Sequence, residues 1–164
     1  MAETQRDKRI RALALYASLE RALYSLDELL DNQCATFGLS RSQYRVLEHL
    51  FLYGAMATGR LAGRVLFGES TISVVTRNLA KVGLLVRRGD EADGRKAIVH
   101  LTDVGKELVG EILPKRAKLL RAKMCVLGKH EQEHMDRLCQ KLAQGDAVKF
   151  MMEITIEDGD VGEE

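Results

Sequence analysis

Between residues 84 and 101 the apolar periodicity of this chain changes character once, and then changes back. Before Gly83 the apolar residues recur at the three- and four-residue steps of helices. From Leu84 to Arg88, and again from Lys96 to Leu101, they form short strand-like runs. The seven residues between, GDEADGR, are rich in Gly and Asp, so the two runs form a hairpin with a polar, charged tip. After Thr102 the helical step returns. Such an order favours helices over a β-sandwich or barrel. It leaves a mainly α fold carrying a small β-hairpin wing. Aromatic residues at 5%, one proline and no tryptophan agree with a helical chain.

The helices before the hairpin have readable ends. Residues 5–33 form one long helix, capped by Thr4, with Ile10, Leu13, Ala14, Ala17, Leu23, Leu26 and Leu30 on its apolar stripe. It ends near Asn32, before Phe37-Gly38. Ser40 and Gln43 make a capping box for a second helix, whose stripe is Tyr44, Leu47, Leu50 and Phe51. Thr58 is the N-cap expected for a short third helix, with Leu61, Ala62, Val65 and Leu66 inward. A fourth starts at Ser70 or Thr71 and runs to about Val82, burying Ile72, Val75, Leu79 and Val82 before Gly83 stops it.

After the hairpin, Thr102 caps a helix over roughly 103–127, which Pro114 is expected to kink or split. Gly128 breaks the chain, and a last helix spans about 130–144 with Met135, Leu138 and Leu142. The segment FMMEITIE is a short helix or strand, and the tail after Glu157 is expected to be disordered.

The 164 residues are about one domain's worth, and 46% hydrophobic with 30% charged residues is a globular composition. The net charge of +1 hides a split: residues 153–164 carry six acids and no base. The remainder holds 25 bases against 18 acids, a net of +7, which permits a polyanionic partner. No apolar run reaches the roughly 18 residues that span a bilayer. The N-terminus has no signal-peptide pattern, so a cytoplasmic protein without membrane contact is expected. Cys34, Cys125 and Cys139 are far apart and odd in number, against both a zinc ribbon and a disulfide framework.

A short helix, a tight turn, a helix with one polar face and a basic hairpin are the order of a winged helix-turn-helix. Here the chain resembles the MarR family of transcriptional regulators. Leu39-Ser-Arg-Ser-Gln43-Tyr44-x-Val46-Leu47 is similar to the opening of that family's second helix. Leu61-Ala62 matches its third helix. Ser73-x-x-Thr76-Arg77-Asn78-Leu79-x-x-x-Gly83-Leu84-Leu85-x-Arg87 resembles its recognition helix running into the wing. The most specific string is Asp93-Gly-Arg95-x-x-x-Val99-x-Leu101-Thr102-x-x-Gly105, the family's wing signature, intact. Pro114 and Leu127–Leu142 also resemble its late helices. The resemblance implies a homodimer built from a helical dimerisation region, 5–33 with 103–150, and a winged helix-turn-helix lobe, 39–102, that binds double-stranded DNA. It further implies a repressor that lets go of an inverted-repeat operator when a small aromatic or lipophilic effector binds, or when a thiol oxidises.

The fourth helix carries the DNA reading. With Ile72, Val75 and Leu79 inward, the opposite face offers Thr71, Ser73, Val74, Arg77 and Asn78. Arg77 suits guanine or a phosphate, Asn78 suits adenine, and Val74 suits a thymine methyl. Amphipathic helices generally turn such a face to solvent; the wing signature downstream is what favours DNA. The resemblance places Arg95 in the minor groove, where narrow tracts concentrate negative potential. Asp93, two residues before it, would orient it; the plain alternative is a surface ion pair. Lys96, Arg87, Arg88, Arg60 and Arg64 are phosphate contacts or solvated charges. Residues 58–100 hold eight bases against four acids.

The effector site is less legible. By resemblance it lies between the dimer helices and the DNA lobe, where Tyr16, Tyr44, Arg45 and His49 could form a wall; ordinary packing explains such residues equally. The family's urate-responsive branch uses a tryptophan on the first helix, and this chain has none. Its peroxide-sensing branch carries a thiol near the start of that helix, whereas Cys34 sits at the far end. All three cysteines are therefore read as buried small hydrophobes. The string His130-Glu131-Gln132-Glu133-His134 fits the zinc-protease pattern H-E-x-x-H but lacks a sure third ligand. Neither a metal nor a cofactor nor a catalytic residue is expected. A thiol-based redox regulator, a winged-helix protein-interaction module and a zinc hydrolase are the alternatives.

Overall fold

The computed structural model describes residues 4–89 and 97–144. Its contacts divide the chain into two compact parts, one up to Leu120 and one from Arg121. The first begins with α1 (Gln5–Ala35), then α2 (Arg41–Tyr53), β1 (Met56–Ala57), α3 (Thr58–Val65) and α4 (Glu69–Lys81). β2 (Leu85–Gly89), β3 (Ala97–Leu101) and α5 (Asp103–Met124) follow; the last turn of α5 and α6 (Lys129–Ala143) belong to the second part.

The helix starts follow local hydrogen bonding. Thr4 and Asp7 bond reciprocally at the head of α1, and Ser40 and Gln43 do so at α2. Each box satisfies amide donors that a helix start otherwise leaves open. Gly38, Gly54 and Gly83 take positive φ where α1, α2 and α4 are followed by turns.

The lobe closes around one apolar core. Leu47, Leu61, Ile72, Leu79, Leu85 and Val99 are almost fully buried in it. Each such side chain contributes about 1.5–3 kcal/mol relative to exposure. The sheet is antiparallel in the order β1-β3-β2, with Met56 opposite Val99 and Arg87 opposite Val99 from the other side. β1 adds a strand to the expected hairpin; two residues are too short to show a period in sequence. At the hairpin's base, Thr102 Oγ1 donates to Gly83 O at 2.7 Å and accepts from Gly105 N at 3.0 Å. Thr102 thereby caps α5 and ties it to the end of α4. A Cβ on Gly105 would lie 2.1 Å from Leu84 O, so only glycine lets α5 approach the strand so closely.

Several expectations need correction. Thr58 is the first residue of α3; the N-cap is Ala57, which makes no side-chain cap bond. α4 starts at Glu69, ahead of Ser70. Leu66 is 83% exposed because it ends α3 in the left-handed region and points away from the core. Val82 is likewise 65% exposed, at the cap before Gly83. Thr76 is buried in its stead, its hydroxyl donating to Ile72 O at 2.8 Å. Phe51 is exposed, not part of the buried stripe. α1 runs to Ala35, past Asn32, and α5 stops at Met124, short of 127. Pro114 sits inside a continuous α5 and does not split it. Cys34 is buried, but Cys125 and Cys139 are exposed, contrary to the small-hydrophobe reading.

Within α1 only Cys34 is buried, and Ile10, Leu13 and Leu23 of its stripe are each more than half exposed. On α6, Leu138 and Leu142 are exposed as well. The segment 150–157 and the acidic tail lie outside the described residues. Among the described residues, no helix is long and apolar enough to cross a membrane.

Candidate nucleic-acid interface

α4 presents one apolar and one polar face. Ile72, Val75, Thr76 and Leu79 are buried, while Thr71, Val74, Arg77 and Asn78 are exposed and Ser73 is half-buried. The five residues expected to meet bases are thus brought together on the outer side and flank of one helix. Ser70 and Lys81 lie on the same side. The helix is anchored on its inner side against α2, α3 and β2. It is therefore a rigid element of the width that a DNA major groove admits.

α3 stands beside it. Thr58, Gly59 and Arg60 from α3 face Glu69, Ile72 and Ser73 from α4 across a notch of about 350 Å³. Arg60 is exposed at this notch, free to meet a phosphate. Arg64 is exposed too, but its guanidinium stacks 4.5 Å above the Tyr53 ring at the end of α2. That stacking fixes the cation in place and leaves its edge donors available. Arg87 and Arg88 are exposed on β2. Asp93, Arg95 and Lys96 lie outside the described residues. The strands that flank them, β2 and β3, pair in register from Leu85–Leu101 to Gly89–Ala97.

The four effector candidates are dispersed among different contacts. Tyr16 is exposed on α1 and donates to Glu20 Oε1 at 2.6 Å. Glu20 holds its phenol above the ordinary value. Tyr44 is fully buried, donating to Glu48 Oε1 at 3.2 Å. Arg45 lies 4.9 Å over the Phe67 ring, and His49 Nδ1 is 3.0 Å from Arg45 O.

A buried cluster that the sequence reading missed surrounds Tyr44. Arg116 of α5 is 7% exposed and stacks on the Tyr44 ring, 3.9 Å from Glu48 and 3.8 Å from Cys34 Sγ. It joins three helices: α1 at Cys34, α2 at Glu48 and Tyr44, and α5 itself. Burial pushes the Cys34 thiol up, and the nearby Arg116 only partly opposes this. A protonated, enclosed thiol is a poor redox sensor. The signal was thin: one arginine in the regular spacing of α5 reads as surface.

The histidine string on α6 is absorbed structurally. Glu131 Oε2 accepts from Gly128 N at 2.7 Å and so caps the helix, and His130 lies 3.6 Å from Glu133. Among the described residues no group of three or more possible ligands could hold a metal ion.

This geometry, a half-buried helix-turn-helix with an antiparallel wing, defines a winged-helix DNA-binding protein, and comparison with known proteins agrees. Residues 39–105 match the winged helix DNA-binding domain family. The chain is 30% identical to the HTH-type transcriptional regulator YkoM of Bacillus subtilis, over 80% of this chain and 85% of that one. The structure of Bordetella bronchiseptica BpsR, whose DNA binding is regulated by 6-hydroxynicotinic acid, is 25% identical with a TM-score of 0.74, covering 79% of this chain and 93% of that one. The fold is also that of AbsC, a MarR family regulator from Streptomyces coelicolor, at 19% identity and a TM-score of 0.75, covering 88% and 96% of the two chains. The chain belongs to the MarR family and is a DNA-binding transcriptional regulator, not an enzyme.

Proposed function

We propose that the protein acts in the cytoplasm as a homodimeric repressor of an inverted-repeat operator, released by a small aromatic or lipophilic effector. The observation that carries the DNA part is the outer side of α4, where Thr71, Val74, Arg77 and Asn78 stand exposed opposite a buried stripe. In this reading α4 enters the major groove and Arg95, oriented by Asp93, enters the minor groove. Arg60, Arg64 and Lys96 bind phosphates and set the register. A dimer follows from the apolar residues that α1 leaves exposed, which a second copy would cover. The regulation of BpsR by 6-hydroxynicotinic acid, a small aromatic compound, supports an effector of this kind. Tyr16, Arg45 and His49 are the side chains offered to it, while Tyr44 is committed to Arg116.

Selection of bound duplexes from a random pool tests the reading. An enriched inverted repeat with half-sites about one helical turn apart is the expected result. Enrichment of a single unpaired site, or of nothing, would overturn it.

A further inference from the structure

We propose that Glu69 is a specificity-determining residue that reads a cytosine in the major groove. The inference rests on the reading of α4 as the major-groove element. Glu69 is the first residue of α4, and in helix-turn-helix proteins the N-terminal residues of the recognition helix contact base edges. Its side chain is exposed, and among the described residues it makes no ion pair. Glu69, Ser73 and Arg77 are spaced i, i+4, i+8, so they form one row along the flank of the helix. Glu69 thus leads a row whose other two members already face the proposed DNA side. Arg60 lines the same notch but does not neutralise it by contact.

A carboxylate at that position is repelled by phosphates, and among the described residues no cation pairs with it to offset the repulsion. It accepts hydrogen bonds and donates none. In the major groove only two base groups donate, N4 of cytosine and N6 of adenine. Adenine sets the N7 acceptor beside its amino group, which opposes a carboxylate. Cytosine presents its amino group alone. The charge that weakens general attraction to DNA is therefore turned into a preference for one base pair.

The competing role is local. A carboxylate in the first turn favours the positive end of its own helix. Glu69 Oε1 also lies 4.0 Å from where a Cβ on Gly59 would be, beside the first turn of α3. That role predicts a change in stability and no change in sequence preference.

Duplex selection with the full-length protein and its Glu69→Gln and Glu69→Ala variants separates the two. Wild type should prefer cytosine at one position per half-site by roughly tenfold. Glu69→Gln, nearly the same in shape, should move that position to adenine, which an amide pairs bidentately. Glu69→Ala should flatten that position alone and bind random duplex more tightly. Circular dichroism at the assay temperature checks that both variants are folded. If both select the wild-type sequence, the proposal is overturned and Glu69 serves only the helix. Arg77→Ala, run in the same pool, separates the two levels of the argument. If it changes preference while the Glu69 variants do not, α4 reads DNA without Glu69. If neither changes preference, α4 is not the reader, and both inferences fall.

Discussion

The guanidinium of Arg116 lies 4.5 Å over the ring of Tyr44. With Glu48 at 3.9 Å it forms the one cationic contact by which α5 grips the buried face of α2 in the described residues. Removing one partner of a buried ion pair leaves the other uncompensated, at about 3–5 kcal/mol when fully buried. Glu48 keeps some solvent contact, with 19% of its side chain exposed. Arg116→Ala should therefore cost about 2–4 kcal/mol in urea unfolding, counting the lost packing. Arg116→Met combined with Glu48→Gln should recover most of it. A loss of under about 0.5 kcal/mol would mark the stacked pair as incidental.

The same burial makes a prediction about alkali and thiol chemistry. The Cys34 thiol is held above its ordinary 9.0 and the Tyr44 phenol above its ordinary 10.0, both chiefly by burial. The folded state keeps these protons where the unfolded chain would release them. Their contribution to stability is complete below pH 9 and is lost as pH rises through the raised folded values. Cys34→Ala should flatten part of that alkaline loss. At neutral pH the exposed Cys125 and Cys139 should react with a thiol reagent in the native protein, and Cys34 only on unfolding. Equal rates for all three would contradict the enclosure of Cys34.

Gly105 offers a test of how the wing is held. A methyl there would meet Leu84 O at 2.1 Å, a backbone atom that cannot swing aside. Gly105→Ala should cost about 1–3 kcal/mol or more, through displacement of α5 from the base of the hairpin. DNA affinity should fall with it, because Thr102 ties α5 to Gly83 at the end of α4. A thermal midpoint unchanged by Gly105→Ala would overturn this account of the glycine.

The lobe was legible because its signals are local. Ser40 and Gln43 cap α2 as their spacing implies, and Gly83 takes the positive φ that ends α4. The buried stripe of Ile72, Val75 and Leu79 appears as its period requires. What escaped the sequence is non-local. β1 exists only because Met56 pairs with Val99, far along the chain. Arg116 is buried only because Cys34, Tyr44 and Glu48 come from two other helices. Leu66 and Val82 fit a helical period, yet both sit at caps where the period ends. Glu69 was hidden by a boundary: with α4 begun at Ser70 it belonged to a loop, and with α4 begun at Glu69 it heads the polar row.

Salt separates base reading from general attraction. Each phosphate neutralised adds about −0.9 to the slope of log affinity against log salt. Lys96→Ala, if it removes one phosphate contact per subunit, should weaken all sequences alike and reduce the slope by about two per dimer. Arg77→Ala, if Arg77 reads a base, should cost about 1–3 kcal/mol on the best site and flatten one position per half-site. Asp93→Ala removes a negative charge yet should weaken operator binding if Asp93 orients Arg95; tighter binding would leave only its charge to matter. The acidic residues 153–164 enter through net charge: without them the chain carries +7 in place of +1. Their deletion should raise affinity for random duplex, most at low salt, where the Debye length is longest. Filter binding across a salt series measures all four. If Arg77→Ala lowers the slope as Lys96→Ala does and leaves preference intact, Arg77 is a phosphate clamp. Specificity would then fall to Glu69, Thr71, Ser73, Val74 and Asn78, or to the minor groove under Arg95.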